Sequence, residues 1–255
     1  MNETKRRFEG LARIYDPNSQ RYCESLGIRA GWKCLEIGGG GGTFAKWLST
    51  KVGNSGEVLV TDLDTRFLEN SLGDIKNVRV IKHDISKDQL PDEQFDLIHS
   101  RLVFQHIPEG SKALARVIPL IAQNGYLFIE DFDSLSQGEV IVGYQETREL
   151  FLKMRSALFE VFKRHKMDAP FGVKIAQLFR DMGLKNIVME VTSTLWQGGG
   201  AGCLLQLANY EQIHDEILSA GLLTESDFQQ GMKLFRTEGW GFSSPRMYSV
   251  WGKKA

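Results

Sequence analysis

Leu35-Glu36-Ile37-Gly38-Gly39-Gly40-Gly41-Gly42-Thr43 is the stretch that decides the fold. A short apolar run from Trp32 to Ile37 ends at the glycines, and Phe44, Trp47, Leu48 and Val52 then recur at helical spacing. This is a buried strand handing over to a helix through a turn that has no side chains. Glycines remove Cβ atoms there, so the backbone turns tightly and approaches a ligand closely. A purely structural turn seldom needs so many, since each costs roughly 0.5–1 kcal/mol against alanine in regular structure.

Outward from this turn, strand and helix signals alternate between residues 30 and 131. Glu57 to Thr61 reads as a second strand, followed by a helix with Phe67, Leu68 and Leu72 on one face. Val78 to Ile81 is a third strand and Phe95 to His99 a fourth. Pro108-Glu109-Gly110 then opens a helix expected to run through Ile121, and Gly125 to Ile129 makes a fifth strand. Strands separated by helices build right-handed βαβ units, hence an α/β fold with a doubly wound, mostly parallel sheet covered on both faces. After Asp133 the rhythm changes. Residues 138–166 read as a long helical stretch, with Leu150, Met154, Leu158 and Phe162 four apart. Pro170 breaks it, and a second helix runs to Met182 before Gly183. Leu184 to Leu195 resembles a sixth strand, helices are expected around 202–219 and 225–237, and Met247 to Trp251 makes a last strand.

A glycine-rich turn does not by itself name a ligand. The dinucleotide fingerprint GxGxxG would place its last glycine at Thr43, whereas Glu36-x-Gly38-x-Gly40-x-Gly42 fits throughout. An acid two positions before the first glycine suits an ammonium group and repels a pyrophosphate. S-adenosylmethionine carries both an ammonium and a sulfonium. Asp62 closes the second strand 20 residues beyond Gly42, where a carboxylate accepts from ribose hydroxyls. Asp64 competes less well, since it suits a helix cap. Asp84 is placed to accept from an adenine amino group while Leu63 and Ile85 sandwich the ring, with an N-cap or turn acid as the alternative. Ser100 and Arg101 follow the fourth strand at the mouth of the same crevice.

Composition narrows the class of function. The 255 residues are 42% hydrophobic and 25% charged, an ordinary globular balance, and no run of 18 apolar residues suggests a membrane span. The formal charge of −1, from 31 basic and 32 acidic residues, gives no support to a nucleic-acid partner. Cys23, Cys34 and Cys203 are widely spaced and odd in number, which fits a reducing cytoplasm rather than a disulfide framework. The five histidines are scattered, so no metal site is expected. The N-terminal segment lacks the apolar region of a secretory signal.

The motifs CLEIGGGGGTFAKWL (34–48), VLVTDLDTRFLE (58–69), VRVIKHDI (78–85), FDLIHSRLVFQHIPE (95–109) and NGYLFIEDFD (124–133) resemble class I, Rossmann-like S-adenosylmethionine-dependent methyltransferases, closest to the bacterial small-molecule branch. The resemblance implies seven strands in the order 3-2-1-4-5-7-6, the seventh antiparallel. It also implies cofactor contacts from Gly38, Gly39, Gly40, Asp62, Asp84 and Ser100, and a helical lid over the methionine moiety that would carry Tyr15. Within one domain over 1–255, it suggests an N-terminal lid (1–30), a cofactor-binding core (31–133), a helical cap or substrate region after the fifth strand (134–183), and C-terminal strands and helices (184–255).

Methyl transfer is an in-line displacement that needs alignment, a dry site and removal of one proton. His106, in FQHIPE, is the candidate general base, with a pocket-shaping role as the alternative; Asp131 and Asp133 are further candidates. Trp196, Trp240, Tyr144 and Phe171 are candidates for an apolar acceptor pocket. The expected partner is a small-molecule methyl acceptor at oxygen, nitrogen or carbon. Two alternatives stand beside this reading: a protein that binds S-adenosylmethionine without methylating, as a cyclase or binding module, and a nicotinamide-dependent oxidoreductase.

Overall fold

The computed structural model describes residues 3–136, 140–143 and 146–255. Seven strands form the central sheet in the order β3-β2-β1-β4-β5-β10-β7. β1 (Lys33–Ile37), β2 (Glu57–Asp62), β3 (Val78–Lys82), β4 (Phe95–Arg101) and β5 (Ile121–Asp133) run parallel. β10 (Arg246–Lys253) inserts antiparallel between β5 and β7 (Lys185–Thr192). Numbered within the sheet, this is the expected 3-2-1-4-5-7-6 arrangement.

Alternation along the strands explains how both faces become buried. Leu35, Ile37, Leu59 and Ile98 pack on one face, with Phe171, Ile175 and Phe179 of α6 (Phe171–Asp181). Cys34, Val58, Val60 and Leu97 pack on the other, with Phe44 and Leu48 of α2 (Thr43–Val52). A third apolar cluster lies outside the sheet. It joins α5 (Thr147–Arg164), α7 (Ala201–Gln212) and α9 (Glu225–Leu234) to Tyr15 of α1 (Glu3–Ser25). Among the described residues no helix is long and apolar enough to cross a membrane.

Four expectations change. The helix opened at Gly110 ends at Ala115, because Pro119 falls in a tight turn over Ile118–Leu120 and Ile121 already belongs to β5. Val140–Val142 is a strand, β6, within a stretch expected to be helical, and α5 begins only at Thr147. The sixth strand stops at Thr192, and β8 (Leu195–Gln197) belongs to a separate three-stranded sheet with β6 and β9 (Gly241–Ser243). Between α7 and α9 the chain forms a further short helix, α8 (His214–Ser219), so the first expected helix is two.

α1 carries Pro17 in its interior, which removes one helical N–H donor. Tertiary contacts hold this part of the helix: Asp16 and Ser19 reach the strand ends beneath it. α1 also packs along α7, and together they roof the edge of the sheet where β1 and β4 end.

Candidate active site

The strand order reverses between β1 and β4, so their carboxyl ends diverge and leave a crevice. A cavity of about 430 Å³ occupies it, walled by the glycine turn, the ends of β2 and β4, the turn after β3 and one face of α1. Glu36, Gly38, Gly39, Gly40, Asp62, Leu63, Asp84, Ile85, Arg101 and His106 all line it. Tyr15 and Ser100 do not.

The turn owes its shape to the glycines at alternate positions. Gly38, Gly40 and Gly42 have φ of 74°, 53° and 80°. Gly38 is doubly required, since a Cβ there would lie 2.2 Å from Cγ2 of Val103. Asp62 braces the same turn: its Oδ2 accepts from the Gly40 N–H at 2.9 Å and its Oδ1 from the Asp64 N–H at 3.1 Å. An ionised carboxylate has about four acceptor positions, so these two bonds leave capacity for a ligand.

Glu36 lines the cavity wall although it is only 5% exposed. Its Oε2 has no hydrogen-bond partner among the described residues, and its Oε1 lies 4.0 Å from Nδ1 of His99. Burial pushes its carboxyl up to about 8, with Arg101 pulling the other way. An unpaired buried carboxyl is costly, and a cationic ligand would supply its missing partner.

Beneath the cavity, polar groups tie α1 to the sheet. Arg101 donates to Asp16 at 2.6 Å and to the Ser19 hydroxyl at 2.9 Å. Glu130 accepts from Ser19, from Ser249 at 2.6 Å and from His99 Nε2 at 3.2 Å. Burial would raise the Glu130 carboxyl, but His99, Arg101 and Ser19 outweigh it and hold the group below its ordinary value. The sequence reading missed Asp16, Ser19, Glu130 and Ser249 because their partners are remote in sequence.

Two of the expected contact residues lie off the cavity lining. Ser100 is fully buried, and its hydroxyl donates to the Ile37 carbonyl at 3.0 Å, which pins β4 to β1 instead of lining the cavity. Tyr15 sits one turn too deep along α1. It packs edge-on against Phe132, while Arg7, Phe8 and Leu11 of the same helix reach the cavity. Phe8, Leu11 and Tyr15 are spaced three and four residues apart, a helical signal that marks the inward face.

Asp84 lines the cavity but is engaged locally. Its Oδ1 accepts from the Ser86 N–H at 2.9 Å and from the Ser86 hydroxyl, and Lys87 lies 3.1 Å from Oδ2. These bonds, chiefly the Ser86 hydroxyl, hold its carboxyl below the usual range. Leu63 is 62% exposed, whereas Ile85 is buried, so only one of the two expected sandwiching side chains is fixed by packing.

A second cavity of about 310 Å³ opens beside the first, between β5, α5 and α7. Arg7, Leu11, Leu102 and His106 line both. Leu102 takes φ 58°, a left-handed backbone that costs a non-glycine residue about 1–2 kcal/mol. Its N–H donates to the Glu130 carbonyl at 2.8 Å, which holds the turn where the cavities meet. His106 is an exposed residue at this junction, yet the walls of both cavities take part of its hydration. That desolvation, aided by the Arg7 charge, lowers its pKa to about 4, so the imidazole is neutral at physiological pH. It is therefore a weaker base than a histidine poised near neutrality.

Asp131 and Asp133 line neither cavity. Asp131 is fully buried; burial raises its carboxyl well above the ordinary value, and Oδ2 accepts from the Gln105 N–H at 3.3 Å. It props the Phe104–His106 turn. Trp196 lines the second cavity, whereas Trp240 and Phe171 are packed inside apolar clusters; Tyr144 lies outside the described residues. Among the described residues no group of three or more His, Cys, Asp or Glu is arranged to hold a metal.

The comparisons with known proteins agree with this architecture. An S-adenosylmethionine-dependent methyltransferase from Aquifex aeolicus superposes over 100% of both chains, with a TM-score of 0.53 and 17% identity. A phosphoethanolamine N-methyltransferase from Haemonchus contortus superposes over 94% of this chain and 53% of its own, with a TM-score of 0.58 and 15% identity. In sequence, the Pasteurella multocida ubiquinone/menaquinone biosynthesis C-methyltransferase UbiE is 27% identical over 172 residues, covering 57% of this chain and 64% of that protein. Methyltransferase str2 of Strobilurus tenacellus is 36% identical over 106 residues, covering 40% of this chain and 36% of its own. The chain spans between about a third and two thirds of the length of these two curated relatives. Residues 4–188, most of the chain and the whole cofactor crevice, match the family described as "Methyltransferase domain", and the chain belongs to that family.

Proposed function

We propose that this chain transfers a methyl group from S-adenosylmethionine to a small-molecule acceptor, with the donor in the first cavity and the acceptor in the second. The observation that carries this reading is Glu36: a buried carboxyl with an unpaired oxygen, on the wall of a glycine-floored cavity. A cationic ligand fits it, because pairing offsets the cost of ionising the buried carboxyl, whereas the pyrophosphate of a nicotinamide cofactor would raise that cost. The glycine cradle and Asp62 fit the remainder of an adenosyl ligand.

When bound, S-adenosylmethionine supplies an electrophilic methyl on a sulfonium, and the carbon–sulfur electron pair returns to sulfur on transfer. The chain's own residues then bind, align and exclude water. Glu36 releases its proton and pairs with the ligand's ammonium. Asp62 accepts from ribose hydroxyls while bracing the Gly40 N–H. α1, through Phe8 and Leu11, closes the crevice from above. His106, neutral at the junction, accepts a hydrogen bond from the incoming acceptor and orients it; its low pKa suits that better than retaining a proton.

The presence of an N-methyltransferase and a C-methyltransferase among the similar proteins supports a small-molecule acceptor. Incubation with methyl-labelled S-adenosylmethionine and a panel of oxygen, nitrogen and carbon acceptors tests it by mass spectrometry. S-adenosylhomocysteine formed in step with a methylated product is the expected result. Cofactor binding without S-adenosylhomocysteine across the panel would favour a non-methylating role instead.

A further inference from the structure

The two cavities differ in charge. Glu36, Asp62 and Asp84 line the first, with Arg7 and Arg101. No carboxylate among the described residues lines the second, while Arg7 and the neutral His106 stand where the two meet. Arg101 is paired with Asp16. Arg7 has no such partner: its Nε donates to Oδ1 of Asn209 at 3.1 Å, and no carboxylate among the described residues pairs with its guanidinium. A half-buried cation held only by a neutral amide is short of an anion.

A second unmet group lines the same chamber. Gln206 is 4% exposed and its Oε1 has no hydrogen-bond partner among the described residues. The remaining wall is largely apolar, from Leu158, Val161 and Phe162 on one side to Trp196 on the other. Such a chamber gives an apolar body its affinity and leaves a few polar groups to fix its orientation.

We propose that the acceptor is an apolar, ring-sized molecule carrying an acidic oxygen, either a carboxylate or an ionisable hydroxyl, which Arg7 binds at the junction, and an N–H or O–H that Gln206 accepts farther in. This inference rests on the methyltransferase reading above, in which the second cavity takes the acceptor. It has a physical logic of its own: a cationic donor and an anionic acceptor meet with opposite charges, and Arg7 holds the acceptor's charge before transfer. A cationic amine meets no carboxylate among the described residues lining this chamber and is repelled by Arg7.

The test separates the two readings. S-adenosylhomocysteine is first titrated into the wild-type protein; absence of binding there counts against the methyltransferase reading itself. With that ligand saturating, naphthoate, naphthol and naphthylmethylammonium are titrated near pH 8, the first two distinguishing a carboxylate from a hydroxyl. Naphthoate or naphthol should bind at least about tenfold tighter than the ammonium probe. Arg7→Met should reduce that ratio to below about threefold, and Arg7→Lys should preserve most of it. Because the readout is a ratio within each variant, a general loss of affinity does not imitate it. Equal or tighter binding of the ammonium probe, an unchanged ratio in Arg7→Met, or no binding of either oxygen probe at millimolar concentration would overturn the inference.

Discussion

Gly38→Ala is the sharpest perturbation of the glycine turn. At φ 74° the new residue adopts a left-handed backbone, which costs about 1–2 kcal/mol. Its Cβ would also meet Cγ2 of Val103 at 2.2 Å, and relieving such an overlap in a packed site costs about 1–3 kcal/mol more. The lower entropy of the unfolded alanine chain returns about 0.4–1 kcal/mol. The net expectation is a loss of about 2–4 kcal/mol, read by urea unfolding of wild type and variant. Val103→Ala removes the colliding methyl, so the double variant should recover the overlap part, about 1–3 kcal/mol of coupling in a double-mutant cycle. The backbone part should persist. Gly41→Ala is the control. Gly41 has no positive φ, and its Cβ would sit 3.0 Å from Cβ of Phe8, so a loss below about 1 kcal/mol is expected. A Gly38→Ala protein within about 0.5 kcal/mol of wild type, or a cycle without coupling, would refute the steric argument.

Three further outcomes follow from the site. The folded Glu36 carboxyl keeps its proton until about pH 8, while the unfolded one releases it near 4.5, so stability should fall as pH rises across that window and Glu36→Gln should flatten the fall. Binding of S-adenosylhomocysteine near pH 7 should release about one proton, seen as buffer-dependent heats; a heat independent of buffer would contradict the pairing. Asp62→Ala should weaken that ligand by at least about tenfold, since it loses both a ribose acceptor and the Gly40 brace; unchanged affinity would remove Asp62 from the site. His106, held to about 4 from an ordinary 6.5, binds a proton in the unfolded chain first, so its contribution to stability is lost as pH falls through that interval. The activity profile should accordingly carry no His106 limb between about pH 6 and 8; a limb near 6.5 that vanishes in His106→Gln would show the imidazole titrating as a conventional base.

The parallel core was legible because its strands are short, apolar and punctuated. EVLVT, FDLIH and the run into the glycines each announce themselves locally, and the tight turn read from the glycines is made by left-handed backbone at Gly38, Gly40 and Gly42. The position of β10 between β5 and β7 came from family likeness, since nothing local in MYSVW says which strands it joins. β6, β8 and β9 escaped because three-residue strands hold too few side chains to show a period. The cavity was only partly readable. Acids at strand ends line the cavity, but Ser100 turned to a neighbouring strand and Tyr15 lay one turn beyond Leu11 and two beyond Phe8. Arg7 and Gln206 were invisible as a pair, since α1 and α7 meet only in the folded chain.

Isothermal titration of the wild-type protein with S-adenosylmethionine, run beside NAD, bears most directly on the central claim. One S-adenosylmethionine bound per chain, with a Kd of about 1–100 μM and no NAD binding, is the predicted result. NAD binding in its place, or no binding of S-adenosylmethionine to folded protein, would contradict the assignment of the glycine turn and Glu36 to a cationic methyl donor.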